Sequence, residues 1–173
     1  MLKVYGTSKS RAFRVLWLLH EIGVPFEHVP IGIYKPDAET YQPWFAEINP
    51  NRRIPAIDDD GLRLWESAAI MVYVARKYGG AFYPQTPAAE AMMLQWAFFS
   101  VSDLDPHTVT IAQNRFVLPP EKRVEARVAE AFQALQKPLG VLESALGRTP
   151  FLAGDAWGLA DLHVAATLAL LLP

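Results

Sequence analysis

The stretch Asn51-Arg52-Arg53-Ile54-Pro55-Ala56-Ile57-Asp58-Asp59-Asp60-Gly61-Leu62-Arg63-Leu64-Trp65-Glu66-Ser67 limits the possible folds more than any other part of this chain. Proline has no amide hydrogen, so Pro55 suits the first residue of a strand or a sheet edge and not the middle of a central strand. Two short apolar runs, 56–58 and 62–64, flank an acidic turn that ends at Gly61, which is the pattern of a hairpin. A helix is predicted to follow at once over residues 66–78, with Gly79-Gly80 to stop it. In such a unit the Ile54 peptide faces something other than the sheet, and a helix N-terminus begins one short hairpin later. Converging, the two would make a site for an extended, anionic, peptide-like ligand.

The residues before this stretch alternate in type. A strand is expected over 2–5, then a helix over 11–22 with Ala12, Val15, Leu19 and Ile22 three or four residues apart and Gly23 to stop it. A second strand is expected over 26–31, and a weak, irregular helix over 37–46. The order β-α-β-α-β-β-α predicts a small mixed sheet flanked by helices. After residue 79 the pattern changes: residues 80–87 read as a linker, and everything beyond is helical. A helix from 88 to about 104 carries Met92, Trp96 and Phe99 on one stripe, and Pro106 is expected to end or kink it. Pro119-Pro120 opens another helix, in which Val124, Val128, Ala131, Leu135, Leu142 and Ala145 keep a three-four rhythm and Pro138 is expected to interrupt and bend it. The last helix, from about Leu159, is apolar almost all round and is expected at the centre of a bundle. The expected domains are residues 1–79 and 88–173.

Composition removes several classes of function. A formal charge of −2 gives no electrostatic footprint for nucleic acid. The longest apolar run, residues 164–172, is far short of the ~20 residues that span a bilayer. Residues 1–5 run straight into strand pattern with no signal-peptide character, so the cytoplasm is the expected location. The absence of cysteine excludes disulfides, thiolate metal sites and a cysteine nucleophile. His20, His28, His107 and His163 have no metal-ligand spacing, so no metal is expected.

Four segments in order carry a family resemblance: "KVYGTSKSRAFRVLWLLHEIGVPFE", "NPNRRIPAI", "LWESAAI" and "PLGVLESAL" with "PFLAGDAWGLADL". Together they resemble the first strand, catalytic loop and first helix, the Ile-Pro and Glu-Ser signatures, and the helical-domain Gly-Asp…Ala-Asp element of the glutathione transferases, over nearly the whole chain. The resemblance is to serine-type, phi- or theta-like cytosolic members. It implies a thioredoxin-like α/β N-terminal domain that binds glutathione, followed by an all-helical domain. It also implies that Pro55 is cis and that the Ile54 backbone pairs with the cysteinyl part of glutathione like an added strand. Ser67 and the helix N-terminus would hold the γ-glutamyl carboxylate, and Glu66 its ammonium. Taken alone, Ser67 reads as a helix cap. Arg53 would contact the glycyl carboxylate or backbone of glutathione, or stand as a solvated surface arginine.

The thiol of glutathione needs a hydrogen-bond donor near the start of the first helix, because ionisation must be favoured over a free-thiol pKa of about 8.5. Thr7, Ser8 and Ser10 all lie in that loop. By resemblance the hydroxyl stands four residues after the strand-ending glycine and four before a helical arginine, which selects Ser10 between Gly6 and Arg14. Taken alone, Ser10 reads as an N-cap, and Tyr5, inside the strand, reads as core. The resemblance further implies a hydrophobic electrophile as acceptor, a detoxifying role and a homodimer, with Arg76, Lys77, Glu90 and Asp103 as candidate interface charges. Asp103 is also a candidate to reach the γ-glutamyl ammonium in a partner subunit.

The chain departs from the family pattern in two ways. Gly158 stands where relatives place Ser or Thr, three residues before Asp161, and relatives continue with further helices beyond Pro173, so a piece of a longer protein is expected. Two other readings share the same first domain: a non-catalytic interaction or regulatory module, and a glutathione-dependent isomerase. Retention on a glutathione resin together with activity on an aryl halide separates the enzyme from the module.

Overall fold

The computed structural model describes residues 1–32 and 38–172. The chain divides into two compact units, Met1–Tyr83 and a second from Pro84 onward.

The first unit is a four-stranded mixed sheet with helices. Strands β1 (Leu2–Tyr5), β2 (Glu27–Val29), β3 (Ala56–Asp59) and β4 (Leu62–Trp65) lie in the order β2-β1-β3-β4. β2 is parallel to β1, while β3 is antiparallel to both β1 and β4. The parallel pair needs a crossover, and helix α1 (Ala12–Glu21) supplies it. The β3–β4 hairpin turns at Asp60 and Gly61, both with positive φ, and the Gly61 amide donates to the Asp58 side chain at 2.8 Å.

Side-chain alternation gives each face of the sheet its own core. Tyr5 and Ala56, paired in register, join Ile31, Phe45, Ile48 and Ile54 in one buried cluster, with Phe45 supplied by helix α2 (Pro43–Ala46). Val4 and Ile57, the next pair along, are fully buried, as are Val15, Leu18 and Leu19 of α1 and Ile70, Met71 and Val74 of α3 (Ser67–Tyr78). The last residue of β3, Asp59, is 3% exposed. Its carboxylate accepts Tyr73 Oη at 2.8 Å, Lys77 Nζ at 2.7 Å and Tyr78 Oη at 2.8 Å, all from α3. Burial alone raises the Asp59 pKa, but the bonds from Lys77, Tyr73 and Tyr78 outweigh it and hold the carboxyl below its ordinary range. Lys77, expected as an interface charge, is thus engaged inside its own unit.

β2 is shorter than the expected 26–31. The weak helix resolves into a 3-10 turn, Glu39–Tyr41, and α2; Asp37, where it was expected to start, lies outside the described residues.

The second unit holds α4 (Pro87–Phe99), α5 (Asp105–Ala112), α6 (Glu125–Leu146) and α7 (Leu159–Leu168), with π-helical turns at Ser100–Leu104 and Gln113–Val117. Pro106 sits in the first turn of α5, where its missing amide is harmless. The apolar stripe of α4 is Met93, Trp96 and Ala97, whereas Met92 is exposed. Trp96 lies on the stripe as expected and Phe99 is half-buried against it, but the methionine is Met93 in place of Met92, because residues 92 and 93 fit the three-four spacing equally well in sequence. α6 runs unbroken through Pro138, contrary to the expected interruption. Val124 stands just ahead of α6 as an exposed N-cap, its amide donating to Asn114 Oδ1 at 3.0 Å. α7 is buried on nearly every side, as its composition predicts. Its first turn is held by Asp161, which accepts the Gly158 amide at 3.0 Å and the Leu152 amide at 2.8 Å. Glycine has no hydroxyl to complete the reciprocal bond, so only the carboxylate half of the capping box is made.

Candidate active site

The loop after β1 is built around Gly6. Its φ of +134° is one that side chains rarely adopt, and an added Cβ would stand 2.8 Å from Ala12 Cβ and 3.0 Å from Ile54 Cβ. The start of α1, the end of β1 and the residue before Pro55 therefore meet at a point where only glycine fits. The Ile54-Pro55 peptide is cis, as the resemblance implied. The β1–β3 ladder begins at the Tyr5–Ala56 pair, which leaves Ile54 beyond its end. Asn49, 1% exposed, fastens the chain leading into Ile54. Its Nδ2 donates to the Arg53 carbonyl at 2.7 Å, and its Oδ1 accepts the Asn51 amide at 2.9 Å. Arg53 itself is exposed and is positioned through this backbone bond.

Ser10 is buried at the mouth of α1. Its Oγ accepts the Ala12 amide at 3.1 Å and donates to the Thr7 carbonyl at 2.7 Å. Thr7 is partly buried and Ser8 exposed. Tyr5 is 8% exposed, with its ring 6.2 Å from Trp44 and 6.1 Å from Phe45, and burial, then the nearby Asp58 carboxylate, raises its phenol pKa. It belongs to the core, in agreement with the sequence reading.

At the other corner, α3 starts at Ser67, 7% exposed, directly after Glu66. Glu66 is exposed and holds φ 72°, ψ 113°, a backbone conformation that costs a non-glycine residue on the order of 1–3 kcal/mol. Arg14 of α1, 2% exposed, donates from Nη1 to Ser67 Oγ at 3.5 Å. One helix therefore connects the corners: within its first turn the Ala12 amide bonds Ser10 and Arg14 reaches Ser67. The backbone N-termini of α1 and α3 add positive potential at both corners, suited to a thiolate and to a carboxylate.

Models of the glutathione S-transferase N-terminal domain and C-terminal domain match residues 1–76 and 91–172. The chain belongs to the glutathione S-transferase family. Among its relatives, Glutathione S-transferase F13 of Arabidopsis thaliana is 35% identical over 94% of this chain and 76% of its own length. Among solved structures, the theta class glutathione S-transferase of Xanthomonas axonopodis pv. citri, with glutathione bound, superposes with a TM-score of 0.87 at 29% identity, covering 94% of this chain and 78% of that one. Ure2p5 of Phanerochaete chrysosporium, cocrystallised with 1-(S-glutathionyl)-2,4-dinitrobenzene, gives 0.83 at 28% identity, covering 99% and 77%.

Sequence reasoning used Arg14 only to locate Ser10 and did not foresee its bond to Ser67, the bonds of Asn49, or the contact of His28, whose Nε2 lies 2.7 Å from the Gly6 carbonyl. Arg14 carried a legible signal, a cation on the same helical face as Leu18. The other two act through backbone carbonyls, which no side-chain pattern marks. Among the described residues no cluster of three or more His, Asp or Glu could hold a metal ion, and no helix is long and apolar enough to cross a membrane.

Proposed function

We propose that this glutathione transferase is of the serine type and that Ser10 stabilises the thiolate of bound glutathione. The observation that carries this reading is the double engagement of the Ser10 hydroxyl. Its oxygen accepts the Ala12 amide, which polarises the O–H and makes it a stronger donor. Its proton now goes to the Thr7 carbonyl, and a rotation about one bond redirects it to a sulfur at the helix mouth. Residues 1–79 would bind glutathione and residues 88–173 form the helical domain. The Ile54 backbone before Pro55 would pair with the cysteinyl unit, Ser67 with the α3 N-terminus would bind the γ-glutamyl carboxylate, Glu66 its ammonium, and Arg53 the glycyl end. The strained backbone of Glu66 supports a ligand role at that corner, since such conformations concentrate at functional sites.

In the reaction the thiolate attacks an electrophilic carbon of a hydrophobic acceptor. A C–S bond forms, and either the leaving group departs with its electron pair or, in conjugate addition, the neighbouring carbon takes a proton. The substitution product is a thioether of the kind seen with Ure2p5. The enzyme is proposed to act as a cytoplasmic homodimer.

The deciding experiment compares Ser10→Ala, Ser8→Ala and Thr7→Ala with an activated aryl halide across pH. Ser10→Ala should bind glutathione nearly as well yet conjugate it at least tenfold more slowly near neutrality. The deficit should shrink as pH approaches the free thiol pKa of about 8.5, where hydroxide does what the hydroxyl did. Ser8→Ala and Thr7→Ala should keep most of the neutral-pH rate. A defect that moves to Ser8 or Thr7 transfers the role to that residue; a flat profile for all three leaves the loop as a cap only.

A further inference from the structure

We infer that His28 is a positioning residue for the thiol-activating loop, an assignment that rests on the role proposed for Ser10. β2 lies parallel to β1 with Val4 opposite His28 and Tyr5 opposite Val29, so the residue after β1 meets the backbone and side chains of β2. The Gly6 amide donates to the Val29 carbonyl at 2.9 Å, and the Gly6 carbonyl faces His28 Nε2 at 2.7 Å. A carbonyl oxygen only accepts, so Nε2 must carry the proton in this contact. β2 therefore holds both the amide and the carbonyl of Gly6, and Ala12 and Ile54 close the space where a side chain would stand.

The Gly6 carbonyl belongs to the peptide unit shared with Thr7, so its orientation fixes where the following residue starts. The Thr7 carbonyl in turn receives both the Ser10 amide at 3.1 Å and the Ser10 hydroxyl at 2.7 Å. The chain of bonds runs from the imidazole to the Gly6–Thr7 peptide and from there to the catalytic hydroxyl. His28 is otherwise exposed, lining a cavity of about 550 Å³ with Ser8, Phe13, Trp17 and Phe26. Its substitution opens no hole in the core, so an effect on the thiol would come from the lost donor and not from lost packing. A hydrogen bond that fixes one peptide plane contributes precision, and small misplacements at a reacting group cost rate out of proportion to stability.

The test uses the full chain with glutathione and an aryl halide. It reads the ultraviolet absorption of the bound thiolate against pH, kcat and KM for glutathione, and the melting temperature. His28→Leu removes the donor, and His28→Gln keeps an N–H at similar reach. The expected result for His28→Leu is a rise of about half a unit in the pKa of bound glutathione. That is up to about threefold less thiolate at pH values below that pKa, with kcat there lowered in proportion and KM nearly unchanged. His28→Gln should recover to within about twofold. If His28→Leu yields no folded protein, His28→Asn, too short to reach the carbonyl, replaces it. An unchanged thiol pKa in the donor-free variant overturns the inference, and so does His28→Gln behaving like His28→Leu. Ser10→Ala, measured in parallel, separates the two readings. If it leaves the thiol pKa unmoved, both fall; if it raises the pKa while His28→Leu does not, only the role of His28 falls.

Discussion

At the scale of single residues, the site depends on positions where one side chain has two obligations. Ser10 accepts the first amide of α1 and is proposed to face the thiol. The loss of a capping serine costs typically ~1 kcal/mol, so Ser10→Ala should melt slightly lower as well as react slowly. Only the second effect should vary with pH. Gly6 is the stricter case. Alanine there must adopt a φ of +134° with its Cβ 2.8 Å from Ala12 Cβ. Adding the strain of such a conformation to that of overpacking gives an expected loss of about 2–6 kcal/mol, readable as a lower denaturant midpoint. Conjugation should fall further than stability, because the relief of the clash displaces Ile54 or the first turn of α1. A Gly6→Ala variant with an unchanged midpoint and rate would mean that the loop is softer than its packing indicates. Both residues sit in a sequence segment whose importance was readable, yet the reason for Gly6 was not. Its neighbours Ala12 and Ile54 are six and forty-eight positions away, and their convergence exists only in the fold.

At the scale of elements, periodicity located nearly every helix and strand, and it failed where two phases fitted equally well or where a local rule met a tertiary one. The α4 stripe falls on Met93 instead of Met92 because only packing chooses between adjacent registers. β2 is short because its pairing with β1 covers Glu27, His28 and Val29 alone. Asp59 is the clearest lesson. In sequence it is the middle of an acidic turn, Asp58-Asp59-Asp60, and nothing there sets it apart from its neighbours. In the fold it is the buried link between β3 and α3, with Tyr73, Lys77 and Tyr78 converging on one carboxylate. Its depressed pKa has a definite sign: the carboxylate contributes stability above its unfolded pKa of about 3.9, and that contribution is lost as pH falls through the lower folded value. Asp59→Asn should destabilise the protein by about 1–3 kcal/mol near neutrality, the cost of leaving buried donors poorly satisfied. The ion pair itself adds little to that figure, because the Lys77 side chain is 42% exposed. Melting temperatures measured from neutrality down to below pH ~3 should fall more steeply for the native chain than for Asp59→Asn in the range under pH ~4; parallel curves would remove Asp59 as the source.

At the scale of the whole molecule, family membership was legible because four weak segments occur in the right order, and the fold places each in the element that the resemblance implied. What sequence could not supply was the set of bonds to backbone carbonyls made by Asn49 and His28, since a carbonyl has no identity in a sequence. The proposed homodimer belongs to this scale too. α4 carries exposed Met92 and Phe98, the latter 68% exposed, on a helix whose opposite face is buried. Sedimentation over a range of concentrations should give a mass near twice 19.3 kDa, and Phe98→Glu should shift it towards the monomer. A mass of one chain at every concentration would exclude the dimer. The unbroken passage of α6 through Pro138 has a consequence of its own. Proline offers no amide, so the ladder of the longest helix misses the rung that would end on the Ala134 carbonyl, and Ala134 is exposed to water. The helix thus has a seam between two stretches of intact hydrogen bonding. Amide hydrogen exchange, which samples the cheapest openings, would divide α6 there, with the two halves opening as separate units of a rod that looks continuous.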